Sequence, residues 1–185
     1  MRAWVCMLAL CLAPGVALAD KAEQERTNIQ KIEKDTLAKL YSVQPSAKRA
    51  IEGAAGYAVF SNFGMKILVA GGGSGKGVAV NRKTGQRTYM KMGEVQAGIG
   101  VGVKKFQVVF VFESLDKLDA FVNQGWEFGG QTTAAATTGG QGAAMQGALS
   151  VSPGIWMYQL TDQGLAVEAT VKGTKYWKDP ALNAG

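Results

Sequence analysis

Histidine is absent from all 185 residues, and cysteine occurs only at Cys6 and Cys11. Without an imidazole there is no Ser-His or Cys-His nucleophile pair. A zinc site loses its usual ligands once the first residues are set aside. Long apolar runs are also missing. The first, Ala3 to Leu12, falls short of the roughly 20 residues that a spanning helix needs. Acid is scarce in one place: residues 61–112 hold eight Lys/Arg and a single carboxylate, Glu94.

The start of the chain has the pattern of an export signal. Arg2 gives a positive beginning, Ala3 to Leu12 an apolar stretch, Pro14-Gly15 a break, and Ala17-Leu18-Ala19 a small-x-small motif before Asp20. A lipid anchor at Cys11 would want a small residue before the cysteine, where Leu10 stands. Cleavage after Ala19 is therefore the expectation, with residues 1–19 as signal peptide and 20–185 as one domain. Both cysteines would leave with the signal, so no disulfide is expected in the mature chain. The protein is expected to be exported, periplasmic or secreted, and peripheral on an envelope membrane.

Along the chain, Ile29, Ile32, Leu37 and Leu40 recur at helical spacing, which predicts a helix over 21–43. Pro45 and Ser46 interrupt it, and a short helix is expected over 47–55. From Tyr57 the period changes to two, predicting strands at 57–60, 67–70, around 78–80 and at 86–92, with Asn81 to Gly85 as a turn. In Glu94 to Val103 the apolar residues alternate with Gly98, Gly100 and Gly102, predicting a strand whose glycine face lies against another backbone. Phe106 to Phe112 is apolar on both faces, the mark of a central strand. Ser114 caps a helix that Gly125 ends. The small-residue stretch 129–147 is expected to form strands and loops inside the domain, with further strands at 155–160 and 165–172.

Two glycine clusters mimic nucleotide motifs and fail. In Gly71 to Gly77, Ala70 stands where the first P-loop glycine belongs, and Gly77 replaces the magnesium-binding hydroxyl. Gly98 to Gly102 precedes a strand rather than a helix. Glu94 is expected to pair with a lysine at a strand edge. Asp116, Asp119 and Glu113 suit a helix N-terminus, and no catalytic set assembles.

Taken in order, Ala47 to Phe60, Gly71 to Val80, Glu94 to Gly102, Phe106 to Phe112, the 114–124 helix, and Gly164-Leu165 into Gly173 to Trp177 resemble the blocks of the SYLF domain over roughly residues 30–178. The resemblance implies a lipid-binding domain, whose eukaryotic members bind phosphoinositides and in some cases actin filaments. Where those members carry a Trp-Ser-Ala-Pro type motif, this chain has Tyr89-Met90-Lys91-Met92, so the resemblance does not carry phosphoinositide selectivity over.

The expected fold is α+β, with N-terminal helices packed on a curved, barrel-like antiparallel sheet. The expected function is non-catalytic binding of anionic phospholipid head groups through the basic centre, without a cofactor or metal. Its contacts would be Lys76, Arg82, Lys83, Arg87, Lys91, Lys104 and Lys105, because Lys and Arg give phosphate charge-assisted hydrogen bonds. The alternative is an envelope component that meets a protein partner through Trp156, Tyr158, Tyr176 and Trp177. An exported protein has no expected nucleic-acid partner.

Overall fold

A computed structural model describes residues 14–67, 70–97, 102–127, 145–162, 164–165 and 173–184, with side chains described except at 14–19, 62–67, 70–71, 95–97 and 102–104. Three helices are described: α1 (Pro14–Val43), α2 (Ser46–Gly53) and α3 (Leu115–Gln124). The strands are β1 (Gly56–Ile67), β2 (Ala70–Asn81), β3 (Arg87–Ala97), β4 (Gly102–Phe112), β5 (Trp126–Glu127), β6 (Leu149–Ser152), β7 (Ile155–Thr161), β8 (Gly164–Leu165) and β9 (Thr174–Lys178). They form one curled sheet in the order β5-β9-β3-β2-β1-β4-β7-β6, with β8 beside β7, and every described pairing is antiparallel. The α+β expectation holds, with helices against a curved sheet.

Both faces of this sheet are covered, which is why β4 is apolar on both sides. Phe106, Val108, Phe110 and Phe112 face α3, whose Leu118 and Phe121 join them with Phe60, Met90, Met92 and Tyr176. The rings interlock: Phe60 lies 4.7 Å from Tyr176, Phe110 lies 5.3 Å from Phe121, and Phe112 lies 5.1 Å from Phe121. On the opposite face Val59, Val109, Val111, Trp156, Tyr158 and Leu160 pack against Leu40 of α1 and against Ala47 and Ile51 of α2. Farther along that face a smaller cluster joins Val78, Val80 and Tyr89 to Ile29 and Leu182.

The sheet needs close approaches, and β2 supplies glycine for them. A Cβ at Gly77 would lie 2.2 Å from the Val59 carbonyl oxygen and 2.4 Å from the Phe60 ring. Phe60 therefore reaches the aromatic cluster only because residue 77 has no side chain. Gly75 likewise leaves room for Met92.

Several local expectations change. The predicted strand 67–70 is not continuous: β1 ends at Ile67, which pairs antiparallel with Ala70 at the start of β2, and Leu68 and Val69 lie outside the described residues. Its continuous apolar sequence offers no turn residue to mark the reversal. The predicted strand 94–103 is divided between the end of β3 and the start of β4, which flank the β1–β2 hairpin and do not pair with each other. Gly98 and Gly100 lie outside the described residues, as do most of 129–147 and 166–172. The P-loop mimic at 71–77 is part of β2, laddered on both sides by β1 and β3, so it forms no phosphate-cradling loop. Ser114 and Gly125 flank α3, Gly125 with φ of 74°, and Ser114 holds the N-cap position without a side-chain cap hydrogen bond.

The buried stripe of α1 is Ile29, Glu33, Thr36 and Leu40, while Ile32 and Leu37 are only half-buried. A carboxylate and a hydroxyl thus stand in the seam where the apolar pattern alone put isoleucine and leucine. No helix among the described residues is long and apolar enough to cross a membrane.

Candidate functional site

The seven basic residues fall in three places. Lys76, Lys91 and Arg87 lie on β2 and β3, with Lys76 directly opposite Lys91 in the ladder. Like charges side by side across strands repel, and each of these cations is met by an acid from outside the sheet. Lys76 Nζ lies 2.9 Å from Glu25 of α1. Arg87 pairs with Glu33 of α1. Lys91 Nζ lies 3.1 Å from Asp179, a buried carboxylate just beyond β9.

Glu33 is the centre of this arrangement. The Tyr57 hydroxyl donates to its Oε1 at 2.7 Å, and Arg87 donates to Oε2. Burial first, and then the bond to Glu33, hold the Tyr57 phenol well above its ordinary pKa. Burial works against the Arg87 charge, but the hydrogen bond and charge of Glu33 outweigh it, so the guanidinium pKa is raised. Sequence reasoning placed Arg87 at a ligand and passed over Glu33. The available signal was spacing: 29, 33, 36 and 40 fall on one helical stripe.

Arg82 and Lys83 occupy the second place, the β2–β3 turn. Asn81 Oδ1 accepts the backbone N–H groups of Lys83 at 3.0 Å and Thr84 at 3.1 Å, which sets the turn. The Arg82 backbone N–H donates to the Ala55 carbonyl at 3.1 Å, and its guanidinium donates to the Glu52 carbonyl. This ties the turn to the end of α2. Between them lies a cleft of about 340 Å³ lined by Ala54, Ala55, Arg82, Lys83 and Leu115. Both cations are exposed at its rim, and neither forms an ion pair among the described residues. An apolar floor with two cationic arms can accept an anionic, partly apolar group, the arms donating to its oxygens.

The third place is β4. Lys105 is exposed at a pocket of about 420 Å³ that it shares with Asp35, Lys39 and Asp162. Lys104 stands opposite Gly64 in the ladder, and its side chain lies outside the described residues. The structure therefore divides the seven: Lys76, Arg87 and Lys91, on β2 and β3, are met by acids, Arg82 and Lys83 stand together at one opening, and Lys104 and Lys105 lie on β4.

Glu94 is buried on an interior strand, between β2 and β9, rather than at a sheet edge. Tyr176 is fully buried, with its phenol pKa raised by that burial and then by Glu94. Of the four aromatics proposed for a protein partner, Trp156, Tyr158 and Tyr176 are buried, and Trp177 alone is exposed, at 39 %. The sheet needs the first three as core, as large aromatics usually are. Among the described residues, no three or more Asp, Glu, His or Cys gather in a way that could hold a metal ion.

A family model described as Ysc84, Las17-binding protein actin regulator, matches residues 93–185. The chain is also 38 % identical over 161 residues to Beta cell expansion factor A of Aeromonas veronii. That match covers 87 % of this chain and 60 % of the relative, so the chain spans somewhat less than two thirds of the relative's length. With the family model covering the sheet from the end of β3 onward, and the earlier blocks in their expected order, the chain belongs to the Ysc84 (SYLF) family.

Proposed function

We propose that the protein is a non-catalytic module that binds anionic phospholipid head groups at a membrane surface, with Arg82 and Lys83 as its first contacts. The observation that carries this reading is the contrast between cations. Lys76, Arg87 and Lys91 are neutralised by acids of the same chain, whereas Arg82 and Lys83 extend over an apolar cleft without such partners. A lipid offers both halves of what that cleft accepts. The absence of histidine from the sequence supports a binding role over catalysis.

Export belongs to the same proposal, with the mature chain beginning at Asp20.

The test is charge reversal. R82E/K83E should lower cosedimentation with phosphatidylglycerol or cardiolipin vesicles by roughly tenfold or more, since each basic group near an anionic surface contributes about 1 kcal/mol. K175E/K178E should do less, because Lys175 is already held near Glu127 at 3.5 Å. Arg87 is left out of the reversal because it anchors Glu33. Unchanged binding by folded R82E/K83E would refute the assignment. Trp177, exposed on β9 opposite Lys91, favours the second reading, a protein partner at that end of the sheet. Loss of a partner with W177A, and no vesicle binding, would support it.

A further inference from the structure

We propose that the sheet face beneath the N-terminal half of α1 is a second, concealed docking surface for an anionic bilayer, uncovered when residues 20–33 peel away. This rests on the membrane-binding reading above and extends it: Glu25 and Glu33 act as internal stand-ins for lipid phosphates.

The covered surface has the composition of a membrane interface. Val78, Val80 and Tyr89 are buried under the helix and Tyr57 is partly so, with Lys76 and Arg87 beside them. Aromatic hydroxyls, branched aliphatics and basic side chains together suit the boundary between head groups and acyl chains.

The cover is held in a way that a lipid can replace. Ala22 and Ile29 are its apolar contacts in that small cluster. The other described contacts are polar: Glu25 to Lys76, Glu33 to Arg87 and Tyr57, and Gln30 donating to the Tyr89 hydroxyl at 2.7 Å. Arg26 adds hydrogen bonds to the Leu182 carbonyl at 2.9 Å and the Ala184 carbonyl at 3.1 Å. Lys and Arg can exchange a carboxylate for a phosphate and keep charge-assisted hydrogen bonds.

The other half of α1 is anchored differently. Leu40 is fully buried among Val59, Val109, Trp156 and Tyr158, with Leu37 and Tyr41 packed beside it. Between the halves, the buried Thr36 hydroxyl has no hydrogen-bond partner among the described residues, a weak point at the junction. Segments with few buried apolar contacts open first. A bilayer favours the open state only if it binds that state better, and uncovered Lys76 and Arg87 provide the difference.

The experiment pairs amide hydrogen exchange with vesicle binding. Wild-type protein on anionic vesicles should exchange faster over residues 20–33 than in solution, with no change on neutral vesicles. E25Q/E33Q keeps an acceptor for the Tyr57 hydroxyl and removes both stand-in charges. It should bind anionic vesicles about tenfold tighter, because apparent affinity scales with the open fraction. D116N/D119N changes net charge equally on exposed positions of α3 and should not match that gain. Should E25Q/E33Q fail to fold, the wild-type exchange result decides alone. Bound wild type with residues 20–33 still protected would overturn the concealed surface and leave the Arg82–Lys83 reading standing. Binding by E25Q/E33Q but not by wild type would support the concealed surface and remove the other reading. No binding by either would overturn both.

Discussion

Gly77 carries more of the architecture than its size suggests. Its missing side chain admits the Phe60 ring, and through Phe60 the contact with Tyr176. Gly77→Ala should therefore destabilise the fold by about 1–3 kcal/mol, the usual range for overpacking, read as a lowered denaturation midpoint. Gly53, at the end of α2, has nothing within 4 Å of where a Cβ would lie. Gly53→Ala should be neutral or stabilising by up to about 1 kcal/mol, since alanine is the better helix former. Equal effects at the two positions would contradict this account of the β2 glycines. The sequence rule that glycine at period two marks a close backbone approach is met at Gly75 and Gly77. Its first application, to Gly98 and Gly100, falls outside the described residues.

At the scale of elements, legibility followed locality. β4 and α3 were readable because their signals lie within a dozen residues: unbroken apolarity in one, an N-cap and a terminal glycine in the other. The β1–β2 pairing was not, because the sequence between Ile67 and Ala70 holds no Gly, Pro, Asn or Asp to signal a turn. Nor was the polar seam of α1, because Glu33 finds Arg87 54 positions away and no local pattern encodes that partner. The role of α3 can be checked directly. Phe121 is fully buried and touches the rings of Phe60, Phe110, Phe112 and Tyr176. Phe121→Ala should cost about 3–5 kcal/mol, as for other buried Phe truncations. Phe121→Leu should retain much of that stability. A loss below 1 kcal/mol by denaturant titration would mean that α3 is not a structural part of the core.

Across the whole molecule, the charge asymmetry of the sequence is resolved by folding. The basic centre is met by α1 on one side and by Asp179 on the other. A sum over a sequence segment does not see these partners: Lys76, Arg87 and Lys91 are each met by an acid, and the proposed contact rests on Arg82 and Lys83 at the β2–β3 turn. The tyrosines give a global pH signature. Burial raises the Tyr158 pKa from 10.0 to about 12, and raises those of Tyr57 and Tyr176 as well. Below pH 10 these phenols stay protonated, folded or unfolded, and add no pH dependence. Above it the unfolded chain releases protons that the folded chain retains, so stability should fall as pH rises from 10 towards 12. Denaturation midpoints across that interval, with phenolate absorbance recorded in parallel, check this; midpoints that stay level would contradict the buried assignments.

The most direct test of membrane binding uses the wild-type protein. It should cosediment with vesicles containing phosphatidylglycerol or cardiolipin and not with neutral phosphatidylcholine. Binding should weaken as salt rises from about 0.1 M to about 1 M, because the screening length falls from about 10 Å to about 3 Å. Equal binding to neutral and anionic vesicles, or binding indifferent to salt, would contradict an electrostatic head-group contact through Arg82 and Lys83.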